Sequence, residues 1–169
     1  MTYLEIDKAL LDITIEMINE CKIRANSVSK DNKNEHKALM IELGMYQLCW
    51  RAGFLAGTTG TRGGLIEGVR ARVIGQILPR YPEINKVFVS LDDDERKMFI
   101  AALQAEIYMR DQIYNNYLVE LEQAKGAGDT KNIFEFGIKV GAVERVFEAW
   151  EEWRVENNLF PGLLKEGLR

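Results

Sequence analysis

At 169 residues, with 47% hydrophobic and 28% charged side chains, the chain excludes a disordered polymer and has length for one buried core but not two. A net charge of -4 and a pI near 5.2 argue against a surface built wholly for nucleic acid, while leaving room for a local basic patch. The two cysteines, Cys21 and Cys49, share no short metal-ligand spacing and read as reduced core thiols of a cytosolic protein.

Thr2 and Glu5 form a capping-box signature, after which Tyr3, Ile6, Leu10, Ile13 and Met17 recur every three or four residues. This pattern predicts a first amphipathic helix to about Ala25. The terminus carries no basic stretch before an apolar run, so no secretory signal is expected and the predicted location is cytoplasmic. A polar stretch from Asn26 to Asn34 reads as an exposed loop. The second helix, from about Glu35 to Ala56, is apolar on most sides and is expected at the centre of the fold. It is the nearest approach to a membrane span, but Glu42 and Arg51 lie inside it, each costing about 2.5 to 3.5 kcal/mol near a bilayer centre, so no membrane is expected.

A third helix is predicted from Leu65 to Leu78, ended by Pro79 and Pro82. It carries a core stripe of Ile66, Val69, Val73 and Ile77, and opposite to it a small-residue stripe of Gly64, Gly68, Ala71 and Gly75 suited to close backbone approach. The short run Val87-Phe88-Val89 is the one candidate strand. Ser90 to Asp93 is a helix start with acid in the first turn. From it a fourth helix runs to about Lys125, with Ile100, Leu103, Ile107, Arg110, Tyr114, Tyr117 and Leu121 in one register. After a turn capped by Asp129, a fifth helix continues that register through Ile133, Phe136, Val140, Val143, Phe147 and Trp150 until Pro161-Gly162. The prediction is an all-α, single-domain bundle of about five helices over 1–169. It comprises a central helix pair over 35–78, a long antiparallel hairpin over 91–158 and a C-terminal tail over 159–169.

Seven of the fourteen glycines fall between Gly53 and Gly75, the densest departure from ordinary helical sequence. Glycine costs roughly 1 kcal/mol relative to alanine inside a helix, so the cluster demands tight connection, close packing or a ligand on the backbone. The loop from Gly57 to Gly64 precedes a helix N-terminus, and its amides together with Arg62 are the pattern of an anion site. The candidate anion-binding residues are Gly60, Arg62, Gly63, Gly64 and Arg70. From Arg51 to Pro82, five arginines against Glu67 alone give +4, leaving -8 for the rest of the chain. The loop matches neither established phosphate-loop pattern, follows a helix rather than a strand and lacks lysine, so a tight helix-to-helix connection is the preferred reading. Arg70 and Arg72 point to opposite sides of the helix and the loop is too long for a helix-turn-helix, which argues against a nucleic-acid partner.

Catalytic inventory is sparse. His36 is the only histidine, Cys49 has no partner histidine in the pattern, and the pairs Glu148-x-x-Glu151 and Asp92-x-x-Glu95 offer only two oxygens' worth of convergence, better read as solvated acid. No catalytic residue, metal or cofactor is expected. Arg110 interrupts an apolar seam and requires a carboxylate, for which Glu144 and Glu148 are candidates. Trp153, near Val146 on a second apolar face, is a candidate interface position or a cover for the tail. A helix from Leu91 to Lys125 would be about 50 Å long, against a radius of gyration of about 15 Å for a compact chain of this size. It therefore bends, or overhangs and needs a partner. The leading expectation is a non-catalytic interaction or adaptor protein that self-associates as a homodimer. The alternative is a regulatory module binding an anionic ligand or nucleic-acid phosphate through segment 57–72.

Overall fold

The computed structural model describes residues 1–56 and 69–168, and among these every regular element is helical. Helix α1 (Tyr3–Ser27) opens with the capping box that its sequence demands: the Thr2 hydroxyl accepts from the Glu5 amide while the Thr2 amide donates to the Glu5 carboxylate at 2.6 Å. Its buried face, Ile6, Leu10, Thr14, Cys21 and Ala25, meets α2 (Lys33–Ala56). Gly53 lies where the two come close, since a Cβ there would sit 3.3 Å from Leu11.

Residues 69–72 are helical and lead into a π turn, Val73–Ile77, and a 3-10 turn, Leu78–Arg80. Pro79 and Pro82 forbid a continuous α-helix here, and Pro82 instead takes the first position of α3 (Pro82–Ser90), where its missing N–H is harmless. Val87-Phe88-Val89 is therefore helical, not a strand. Ile84 and Phe88, four apart, are both buried, and that pairing decides for helix over the extended preference of the β-branched neighbours.

Asp92 caps α4 (Asp93–Met109) in a second capping box with Glu95. The chain stays helical through a π turn, Arg110–Tyr114, into α5 (Asn115–Ala127). One expected α-helix is thus two, joined by a wide turn that resets the register. Gly128, at φ 65°, ends α5, and Asp129 caps α6 (Thr130–Glu156) by accepting from the Asn132 amide. Tyr114 stacks edge-on against Phe147 and Tyr117 against Phe136, so the partner positions descend along α6 as they rise along α5.

The most enclosed element is α4, not α2 as its composition suggested. Residues 99–107 of α4 are all buried, with Ala101, Ala102 and Ala105 letting both α1 and α2 pack close, whereas α2 exposes Met40, Gly44 and Gln47. The tail packs on the chain itself: Phe160 meets Phe99 at 5.3 Å, Leu164 is buried, and α7 (Leu163–Gly167) lies against α3. Ala71 and Gly75 are exposed, and among the described residues nothing stands within 4 Å of a Cβ built on Gly75. The expected close approach is not made at that end of the small-residue stripe. Among the described residues no helix is long and apolar enough to cross a membrane.

Candidate functional site

Two polar constellations stand out, and their charge balance separates them. The first is enclosed. Arg154, fully buried on α6, donates to Glu151 at 3.0 and 3.2 Å, to Glu106 of α4 at 3.2 Å and to the Ala102 carbonyl at 3.2 Å. The Gly162 amide donates to the other Glu151 oxygen at 2.6 Å, which ties the turn before α7 into the cluster. Burial pushes the Glu106 carboxyl up, against the pull of Arg154 and Arg110. A cavity of about 200 Å³ opens beside these groups, lined by Glu106, Arg110, Phe147, Glu148, Glu151 and Leu164 among others.

The carboxylate that Arg110 finds is Glu106, four residues back on its own helical run at 3.5 Å, rather than Glu144 or Glu148. Its guanidinium also lies 4.5 Å from the Phe147 ring. Glu144 instead accepts from the Tyr114 hydroxyl at 2.7 Å, and Glu148 is exposed. Glu151 is buried and bonded, so the expected solvated acidic face is an internal network on that side. Two arginines here face two buried glutamates; the Arg154 donors are matched by acceptors, while the Arg110 Nε stands 3.5 Å from Glu106 without a hydrogen bond. Such a cluster organises a core and leaves little for a ligand.

The second constellation is uncompensated. Arg70 and Ile74 lie four apart on the helical segment held down by buried Val73, Ile77 and Leu78. Across from them, α3 contributes Phe88, and the first two turns of α4 contribute Asp93, Arg96, Lys97 and Ile100, with Tyr3 of α1 at the edge. Together they line a pocket of about 440 Å³, within the range of small-molecule sites. Arg96 is fixed in place: its Nε donates to the Phe88 carbonyl at 3.2 Å and its Nη2 to the Val89 carbonyl at 2.9 Å, closing the C-terminus of α3, while its guanidinium lies 5.4 Å from the Phe88 ring. Lys97 stands 3.7 Å from Asp94. The Arg70 Nε is enclosed and has no hydrogen-bond partner among the described residues. A buried donor left unpaired costs about 1 to 3 kcal/mol, more when charged, so this atom is an unfilled valence of the site.

Of the residues singled out by sequence, Arg70 is thus placed in a pocket, whereas Gly60, Arg62, Gly63 and Gly64 lie outside the described residues. Val146 is fully buried, so it belongs to the core and not to an outward patch; Trp153 packs, half-buried, against that core. Sequence reasoning missed Tyr3, Phe88, Arg96 and Lys97. The adjacent cations Arg96 and Lys97 were the available signal, masked by the acids of the helix start around them. Cys49 is no nucleophile: burial, with Glu106 adding to it, pushes its thiol up to about 12 and keeps it protonated. His36 is exposed, and among the described residues no three His, Cys, Asp or Glu side chains are grouped to hold a metal ion.

Compared with models of protein families, with curated proteins and with solved structures, the chain matches none.

Proposed function

We propose that this protein is a non-catalytic regulatory module that binds a small anionic ligand in the pocket between segment 69–76, α3 and the start of α4. The carrying observation is the Arg70 Nε, enclosed and without a hydrogen-bond partner among the described residues, in a lining that also holds Arg96 and Lys97 and, among the described residues, the single carboxylate of Asp93. A guanidinium with an unpaired nitrogen is the group best suited to fork an oxyanion. Self-association, expected from the length of the 91–125 run, now draws less on the face around Val146, because that residue is internal.

Thermal unfolding with a panel of anions tests the reading. A ligand at a hundredfold excess over its Kd adds about 2.7 kcal/mol, which for a chain of this size is roughly 5 to 10 °C in melting temperature. The expected result is a shift that falls with added salt and disappears in Arg70→Glu while far-UV circular dichroism is unchanged. An undiminished shift in Arg70→Glu, or no shift with phosphate, nucleotide or carboxylate, removes the proposal.

A further inference from the structure

Resting on that reading of the pocket, we infer that its ligand is an amphipathic monocarboxylate: one planar carboxylate on an apolar body, not a phosphate-bearing polyanion. The charge of the lining sets the first half of this. Arg70, Arg96 and Lys97 stand against Asp93, and Lys97 shares its charge with Asp94 at 3.7 Å, so among the described residues the site has a surplus close to one positive charge. A second or third negative charge on the ligand would meet Asp93 and Asp94 rather than a free cation.

Donor geometry sets the second half. Two of the Arg96 nitrogens already donate to the Phe88 and Val89 carbonyls, so that edge of its fork is occupied. Those same carbonyl oxygens present negative partial charge beside the pocket and disfavour a dense anion there. Of the two arginines that line the pocket, Arg70 is left with its Nε unpaired among the described residues, and a single guanidinium pairs with a single carboxylate through two parallel N–H to O bonds. A nucleotide or inorganic phosphate, by contrast, is held by several converging donors, typically backbone amides as well.

The remaining lining demands an apolar body. Phe88 and Ile100 are buried, Ile74 is half-buried, and Tyr3 offers an exposed amphipathic ring. Removing such surface from water is favourable at about 25 cal/mol per Å² of apolar area covered, so a bare anion such as acetate leaves most of the available affinity unused.

Isothermal titration calorimetry of the whole chain separates the outcomes, using decanoate, 4-phenylbutyrate, 1-decanol, inorganic phosphate and ATP as probes with wild type, Arg70→Lys and Arg70→Ala. The expectation is that at least one of the two carboxylates binds, that 1-decanol binds at least tenfold more weakly than decanoate, and that phosphate and ATP bind more weakly still. Arg70→Ala should weaken the carboxylate at least tenfold. Arg70→Lys, which keeps the charge and loses the fork, should recover only part of that loss. Tighter binding of ATP or phosphate, lost in Arg70→Ala, overturns the carboxylate assignment while leaving the anion pocket standing. Equal binding of decanol and decanoate, insensitive to Arg70, overturns the anion recognition itself, and so does a silent titration with every probe.

Discussion

Arg154 on α6 and Glu106 on α4 meet at 3.2 Å with both side chains closed to solvent, 48 residues apart in the chain. Neither helix could bury its own charge alone, because an isolated ion in the interior costs several kcal/mol. Removing one partner strands the others. Arg154→Ala is expected to lower unfolding free energy by about 3 to 5 kcal/mol in urea titration, leaving Glu106 and Glu151 facing each other across the vacated space. Glu106→Gln should cost clearly less, since burial already favours the neutral form of that carboxyl and Arg154 retains Glu151. Similar losses for both variants would show that Glu106, not Arg154, holds the cluster.

A second network gives the protein a definite response to acid. Glu42 on α2 accepts from Tyr46 at 2.5 Å and from Arg24 of α1 at 2.6 Å, and Arg145 of α6 stands 3.3 Å away, with the Cys21 thiol also near. Burial alone would raise the Glu42 carboxyl, but the Tyr46 and Arg24 bonds and the two arginine charges outweigh it and leave it below the ordinary carboxylate value. A carboxyl lowered by folding contributes stability above its unfolded pKa of about 4.3, and that contribution is lost as pH falls through the folded value. Glu42→Gln should therefore cost about 1 to 3 kcal/mol at pH 7 and progressively less below pH 4. Parallel stability curves for the two proteins from pH 7 to pH 3 would show that Glu42 titrates as if unfolded.

What could be read from the sequence was what is local. Thr2 with Glu5, Asp92 and Asp129 cap helices through contacts three residues long, and the three-four register of 93–127 marks a helical run whatever its partners. The π turn at Arg110–Tyr114 escaped because Ile107, Arg110, Tyr114, Tyr117 and Leu121 keep a three-four spacing straight through it, which an unbroken α-helix would also show. The Glu106 and Arg110 pairing was available at i, i+4, yet a partner across the hairpin looked equally good without coordinates. The pocket was illegible for a different reason. Its residues come from α1, segment 69–76, α3 and α4, and Arg96 reaches it only because α3 ends in open carbonyls seven and eight residues upstream. No period in the sequence unites those four segments.

Glycines that look alike in sequence separate in the structure. Gly75 is exposed with no atom of the described residues near a Cβ built on it, so Gly75→Ala should be neutral or stabilise by up to about 1 kcal/mol through helix propensity. At Gly167 a Cβ would collide with the Ile84 side chain, because α7 is seated directly on α3. Gly167→Val is expected to cost about 1 to 3 kcal/mol by overpacking, or to release the tail and expose the amides of 163–167 to faster hydrogen exchange. A stabilising Gly167→Val with unchanged exchange would place α7 away from Ile84.

Trp153 provides the sharpest contrast between an internal and an external use of the same side chain. Its ring packs, half-buried, against the hydrophobic core, and Trp150 one turn earlier donates to the Leu10 carbonyl and the Thr14 hydroxyl of α1 at 3.2 and 3.1 Å. Truncation at Trp153 removes contacts inside one chain. Trp153→Ala should lower the urea midpoint, with a loss of about 1 to 3 kcal/mol, at every protein concentration tested. Stability carried by a subunit interface would behave otherwise, because the midpoint of an associating protein rises with concentration. Light scattering on both proteins completes the test. A fall in molar mass for Trp153→Ala, with the unfolding midpoint unchanged, would show that the indole serves a second copy and not its own core.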